Sequence, residues 1–291
     1  MITPVFALKL FLVPLLIWLV TLAGRRWGPA VAGWLSAFPI VAGPILFALT
    51  LEQGAAFAAR AAEGTLLAVV AILVFSLAYA WASARFGVAG SMALALLAWA
   101  ASVAALQALR PPLAACFIVV WCALLLTGRL FPAVLAATAA GARRNDLPWR
   151  MLAAAALVLA VTAGAAHLGA RLSGFFAMFP VMSTVLVGFA HAGSGRDSAV
   201  SLLRGMVAGY FGFSVFCVIL SMQLREGGVG MAFVLALGCA LAVHLIARRL
   251  LVRPLEKPDA IPILQQSVQP APPRGTIWPS PKKKPLAFKQ K

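Results

Sequence analysis

Apolar runs of roughly 20 residues recur along the chain, the length at which an α-helix crosses about 30 Å of hydrocarbon. Inside a bilayer no water completes the backbone hydrogen bonds, so a spanning segment must be a helix or part of a closed β-barrel. A barrel strand would read as about ten residues alternating apolar and polar. Residues 5–23 and 152–166 are instead apolar without alternation. Hydrophobic residues make up 63% of the sequence and charged residues 11%, which leaves too little polar surface to cover a soluble core of this size. The fold class that follows is all-α, a polytopic membrane protein.

Runs read between charges and Gly/Pro clusters predict nine spans, at about 4–23, 29–51, 62–83, 87–109, 112–131, 149–168, 171–191, 198–222 and 228–248. Residues 133–141 are also helix-prone, and either extend the fifth span or lie along the interface. The first span reads as a retained helix rather than a cleaved signal, because no basic segment precedes it and Arg25 and Arg26 follow it. From Pro254 the sequence turns Pro-rich and basic, a composition that cannot bury a core and predicts a disordered tail.

The net charge is +17. Its placement argues for membrane orientation rather than nucleic-acid binding, since the basic residues lie between spans or in the tail. Where odd-numbered spans end fall Arg25, Arg26, Arg85, Arg129, Arg143, Arg144, Arg150, Arg196, Arg204, Arg248, Arg249, Arg253 and every tail lysine. The N-terminal side keeps only Lys9, Arg60, Arg110, Arg171 and Arg225. The expectation is a bacterial-type inner membrane with the N-terminus outside and the C-terminus cytoplasmic. Lys282, Lys283 and Lys284 could touch anionic lipid or simply solubilise the tail. Cys116, Cys122, Cys217 and Cys239 lie within spans without CxxC spacing, and read as small buried apolar residues with no disulfide or metal role.

Gly33-Trp-Leu-Ser-Ala-Phe38-Pro39 repeats as Gly174-Phe-Phe-Ala-Met-Phe179-Pro180, an offset of 141 residues. Without a gap the same offset pairs Gly28 with Gly169, Gly54 with Gly195 and Gly64 with Gly205. It lays spans one to four over six to nine and leaves span five as a connector. Four crossings return a chain to its starting side and a fifth delivers it to the other, so the second copy is expected to be inverted. The organisation read from this is 1–110 as the first four-helix repeat, 111–141 as connector helix and loop, 142–253 as the inverted repeat, and 254–291 as the basic tail. Many secondary transporters are built this way.

The segment Gly33-Trp-Leu-Ser-Ala-Phe-Pro39-Ile-Val, with its echo at 174–182, resembles the second helix of the small GlpM-like inner-membrane proteins. Those have four helices, about one half of this chain. The resemblance implies membrane location and a fused pair of such units; it names no substrate. The connector and the long basic tail depart from the pattern.

Span two contains Pro39 and Pro44, and span seven contains Pro180. Proline frees a carbonyl that, in hydrocarbon, must be satisfied by protein or cavity water. Two readings stand: a packing kink, or a broken helix lining a midplane site. On the second, the substrate-binding candidates are Ser36, Phe38, Pro39, Pro44, Phe179, Pro180, Ser183 and Thr184, with Thr50 nearby. Glu63 and Arg204 hold matched positions before Gly64 and Gly205. They are expected near opposite faces, unable to pair, each orienting the start of its own helix or acting as a gate. Lys9 is expected to snorkel, and His167, His191 and His244 to lie at the interface.

None of the seven acidic residues lies deep within a span, which argues against a cation antiporter. The sequence holds no G-x-S-x-G, H-E-x-x-H or P-loop, so an enzyme, a cofactor and a metal site are not expected. Gly193-Ser-Gly-Arg-Asp-Ser198 reads as a turn with a helix cap rather than an anion site. The expectation is a secondary permease or exporter of a small anionic, zwitterionic or neutral solute. The alternative is a non-transporting scaffold for envelope assembly.

Overall fold

The protein is described from a computed structural model covering residues 4–108, 111–134, 146–167 and 179–251. All secondary structure among these residues is helical. The helices are α1 (Pro4–Trp27), α2 (Pro29–Ser36), α3 (Ala42–Gln53), α4 (Ala55–Ala82), α5 (Val88–Gln107), α6 (Leu113–Leu130), α7 (Leu147–His167), α8 (Val181–Ser194), α9 (Arg196–Glu226) and α10 (Val229–Leu251). Six of them, α1, α4, α5, α6, α9 and α10, are long and apolar enough to cross a membrane. The tail from 254, with its lysines, and residues 135–141 lie outside the described residues, while 133 and 134, the start of the stretch that would extend span five, are not helical.

Span two does not run through. It is α2 and α3 with residues 37–41 between them, and the physical cause is Pro39. A continuous helix would require Pro39 to donate to Leu35, which it cannot. The N–H of Phe38 takes the Leu35 carbonyl instead, at 3.2 Å, and that of Ala37 takes Trp34, at 3.3 Å. The Ser36 hydroxyl donates to the Gly33 carbonyl at 2.7 Å. Pro44 falls in the first turn of α3, where its missing N–H costs no helical bond.

Hydropathy places the start of the third span at 62 and the eighth at 198, but α4 begins at Ala55 and α9 at Arg196. Gly54 (φ 87, ψ 162) and Gly195 (φ 83, ψ 176) supply the abrupt turns that start them. That backbone region is open essentially to glycine alone.

At the centre lies α9, 31 residues long with charged residues at both ends, packed against α2, α4, α6, α8 and α10. Around it, α4 meets α3, α5 and α6, while α1 meets α2 and α7. The crossing of α2 with α9 is tight: a Cβ on Gly33 would stand 1.8 Å from the Leu202 carbonyl oxygen, and one on Gly205 1.9 Å from that of Ala30. In lipid, association rests on such close packing rather than on the hydrophobic effect. The cysteines divide: Cys116 and Cys217 are buried, whereas Cys122 and Cys239 are exposed, contrary to their reading as buried small residues.

Candidate functional site

The site candidates fall into two groups, one at each proline, separated by α9. At the first, Phe38 packs on the His244 ring of α10, with centroids 5.0 Å apart. Trp34 stacks on the same ring at 4.2 Å, and its indole N–H donates to the His244 carbonyl at 3.0 Å. Ser36 is occupied by its own helix, and the Leu35 carbonyl that Pro39 cannot reach is taken by the Phe38 N–H. Pro44 is exposed on α3 and stands apart from this group. Thr50 is likewise turned to its own helix, donating to Leu46 at 2.7 Å.

At the second proline, Phe179 meets Trp99 of α5 edge-on at 5.3 Å. Buried Pro180 caps α8, and the Thr184 N–H donates to its carbonyl at 2.9 Å. The Ser183 hydroxyl donates to Met206 Sδ at 3.6 Å. Met206 also approaches the first group, for its backbone nitrogen lies 2.9 Å from where a Cβ of Gly33 would sit. The Thr184 hydroxyl is buried and has no hydrogen-bond partner among the described residues. It lies on a groove of about 600 Å³ lined by Val88, Ala153, Leu157, Gly188 and Phe189. The first five residues of the repeated motif, 174–178, lie outside the described residues.

Phe38 thus packs on α10 and Phe179 on α5. Sequence reasoning named both phenylalanines but assigned His244 to the interface. The structure buries it against the first break, with His244 1% exposed. His191 instead bonds the Tyr79 hydroxyl through Nδ1 at 2.9 Å. The side chains of Lys9 and His167 lie outside the described residues.

Glu63 and Arg204 do not orient the starts of their own helices. Each is the ninth residue of a helix that begins earlier than hydropathy indicates. Glu63 pairs with Arg225 and accepts from Ser221, both on α9, the latter at 3.0 Å. Arg204 donates to the Pro132 carbonyl at 2.7 Å and lies over the Phe131 ring at 5.7 Å. A second charged group joins α1 to α7. Asp146 accepts from Arg25 at 2.6 Å and from Arg150 at 2.7 Å. Arg150, itself buried, also lies 5.2 Å over the Phe189 ring. Burial works against the Asp146 carboxylate, but the two guanidiniums outweigh it and hold the carboxyl below its usual range.

Among the described residues no cluster of His, Cys, Asp or Glu is placed to hold a metal ion. No protein-family model, curated protein or solved structure matches this chain. What the fold defines is a multi-pass helical membrane protein with a broken helix wedged against its central rod.

Proposed function

We propose that this chain is a secondary permease or exporter of a small anionic, zwitterionic or neutral solute, working by alternating access between two inverted four-helix repeats. The observation that carries the reading is the pair Gly54 and Gly195. Separated by 141 residues, they hold nearly the same glycine-specific backbone conformation, and each starts the long helix of its half. At that offset α1, α3, α4 and α5 recur as α7, α8, α9 and α10, while α6 packs on both α4 and α9. Internal duplication of this kind is how many secondary transporters form a midplane site.

The ion pairs support an odd number of crossings between the halves. Glu63 with Arg225, and Arg25 and Arg150 with Asp146, each join residues that the nine-span topology puts on one side. The charge distribution then favours an inner-membrane protein with the N-terminus outside and the C-terminus cytoplasmic. The halves read as a fused pair of GlpM-like units, and the tail lysines as a contact for anionic lipid.

Purified protein in liposomes tests this with a panel of radiolabelled anions, amino acids and neutral drugs. Flux of at least one solute is expected, reduced by about tenfold or more in Pro39→Ala and Pro180→Ala while both remain folded. Folded protein that moves none of them, or variants that lose flux and fold together, rejects the site. Reporter fusions at 141–150 and at the C-terminus should report the same side; opposite sides reject the inversion.

A scaffold is the second reading. The observation favouring it is the close crossing of Gly33 and Gly205, beside a break whose Leu35 carbonyl is taken by the Phe38 N–H.

A further inference from the structure

His244 is enclosed by three helices at the first break. Its Nδ1 lies 3.2 Å from the Gly209 carbonyl oxygen of α9. A carbonyl oxygen only accepts, so in the neutral ring Nδ1 carries the hydrogen and Nε2 is left as a bare lone pair. That nitrogen is buried and has no hydrogen-bond partner among the described residues. An unpaired buried acceptor is costly to keep, and an apolar ring of the same shape would stack on Trp34 equally well without it. The imidazole also fastens the break in place, with Trp34 on its face, Phe38 at 5.0 Å, and its own backbone carbonyl holding the Trp34 indole.

The charges facing this ring are few. Residues 29–41 carry no ionisable side chain. On α9, Tyr210 is the nearest ionisable group in sequence to Gly209. The acids of α9, Asp197 and Glu226, stand at its two ends, and α10 contains none. One turn beyond His244, the Arg248 guanidinium lies 5.0 Å over the same Trp34 ring.

We propose that His244 is a proton-binding site at the first break, and that its protonation is coupled to undocking of residues 34–41 from α10. The inference rests on the permease reading, in which the proton is then the coupling ion. The proton comes from water, adds to Nε2, and returns to water from it. The imidazolium so formed shares one indole with Arg248 and, among the described residues, has no carboxylate beside it. Its charge therefore favours the conformation in which the ring reaches water, whereas the neutral ring favours the docked one. A ligand that binds one conformer better shifts the balance toward it, and the coupling is reciprocal.

Full-length protein in detergent, labelled with 15N-histidine, tests this with the proton itself as ligand. At neutral pH one of the three histidines should show the Nδ1–H tautomer, and it should convert to imidazolium on acidification before the helical signal is lost. That resonance should vanish in H244Q; if H244Q does not fold, H167Q and H191Q assign it by elimination. Hydrogen exchange over residues 31–41 should rise on acidification by about tenfold or more in wild type relative to H244Q at the same pH. A ring in the Nε2–H tautomer, a ring that stays neutral until unfolding, or an exchange ratio that does not change with pH overturns the proposal. Titration of His244 in a folded protein that carries no solute of the panel would reject the permease and with it the coupling role. Solute flux with a silent His244 would reject the proton site alone.

Discussion

Gly33 and Gly205 sit against each other's helix backbone, where any Cβ would overlap a carbonyl oxygen at less than 2 Å. No side chain can yield to relieve that overlap, so α2 and α9 would have to separate. Gly33→Ala and Gly205→Ala should each destabilise the protein by about 1–3 kcal/mol or more, measured by unfolding in detergent. Gly64→Ala is the control: it lies inside α4 with open space at its Cβ, and should stabilise by up to about 1 kcal/mol through helix propensity.

Gly54→Ala and Gly195→Ala meet a different obstacle. Nothing crowds either position, but φ near +85 with extended ψ excludes a Cβ. Each should cost about 1–3 kcal/mol, and the two costs should agree to within about 0.5 kcal/mol, the usual additivity error. A large difference in the same unfolding assay would separate the two turns physically.

Asp146 gives an acid signature. Its folded carboxyl titrates below the usual range because Arg25 and Arg150 outweigh the opposing effect of burial. Its contribution is therefore full above the unfolded value of about 3.9 and is lost as pH falls through the folded one. Asp146→Asn should lower the melting temperature at pH 7, and the gap from wild type should close in acid. A gap that persists at the lowest accessible pH would assign the effect to lost hydrogen bonds instead.

Glu63 and Arg225 join α4 to α9 across a partly exposed interface, with Arg225 54% and Glu63 26% exposed. Solvent screens such a pair, so a double-mutant cycle with Glu63→Gln and Arg225→Gln should give a coupling below about 1 kcal/mol. If the pair gates transport, the same variants should alter flux by more than they alter stability. Charge reversal at both positions should then restore flux.

The helical class and the interruption at Pro39 were legible because each follows from local chemistry, hydropathy and a missing N–H; of the nine spans read from run length, six helices are long and apolar enough to cross. The starts of α4 and α9 were not, since hydropathy trims the charged turns that follow Gly54 and Gly195 while the backbone keeps them helical. Contacts between distant residues were the least legible. Trp34 reaches His244 over 210 residues and Arg225 reaches Glu63 over 162, and nothing in the local pattern of either residue marks its partner. Ser36 misled for the opposite reason: a hydroxyl beside a break looks available, yet the break itself uses its hydrogen.

The central helix carries one more consequence. At 1.5 Å per residue, its 31 residues measure about 46 Å against a hydrocarbon core of about 30 Å. Such a rod must lean or protrude, and how far it does so depends on the acyl chains around it. Because α2, α4, α6, α8 and α10 all rest on it, lipid length becomes an input to the whole assembly. Reconstitution in short-chain and long-chain phosphatidylcholine would set that angle from outside without touching a single residue.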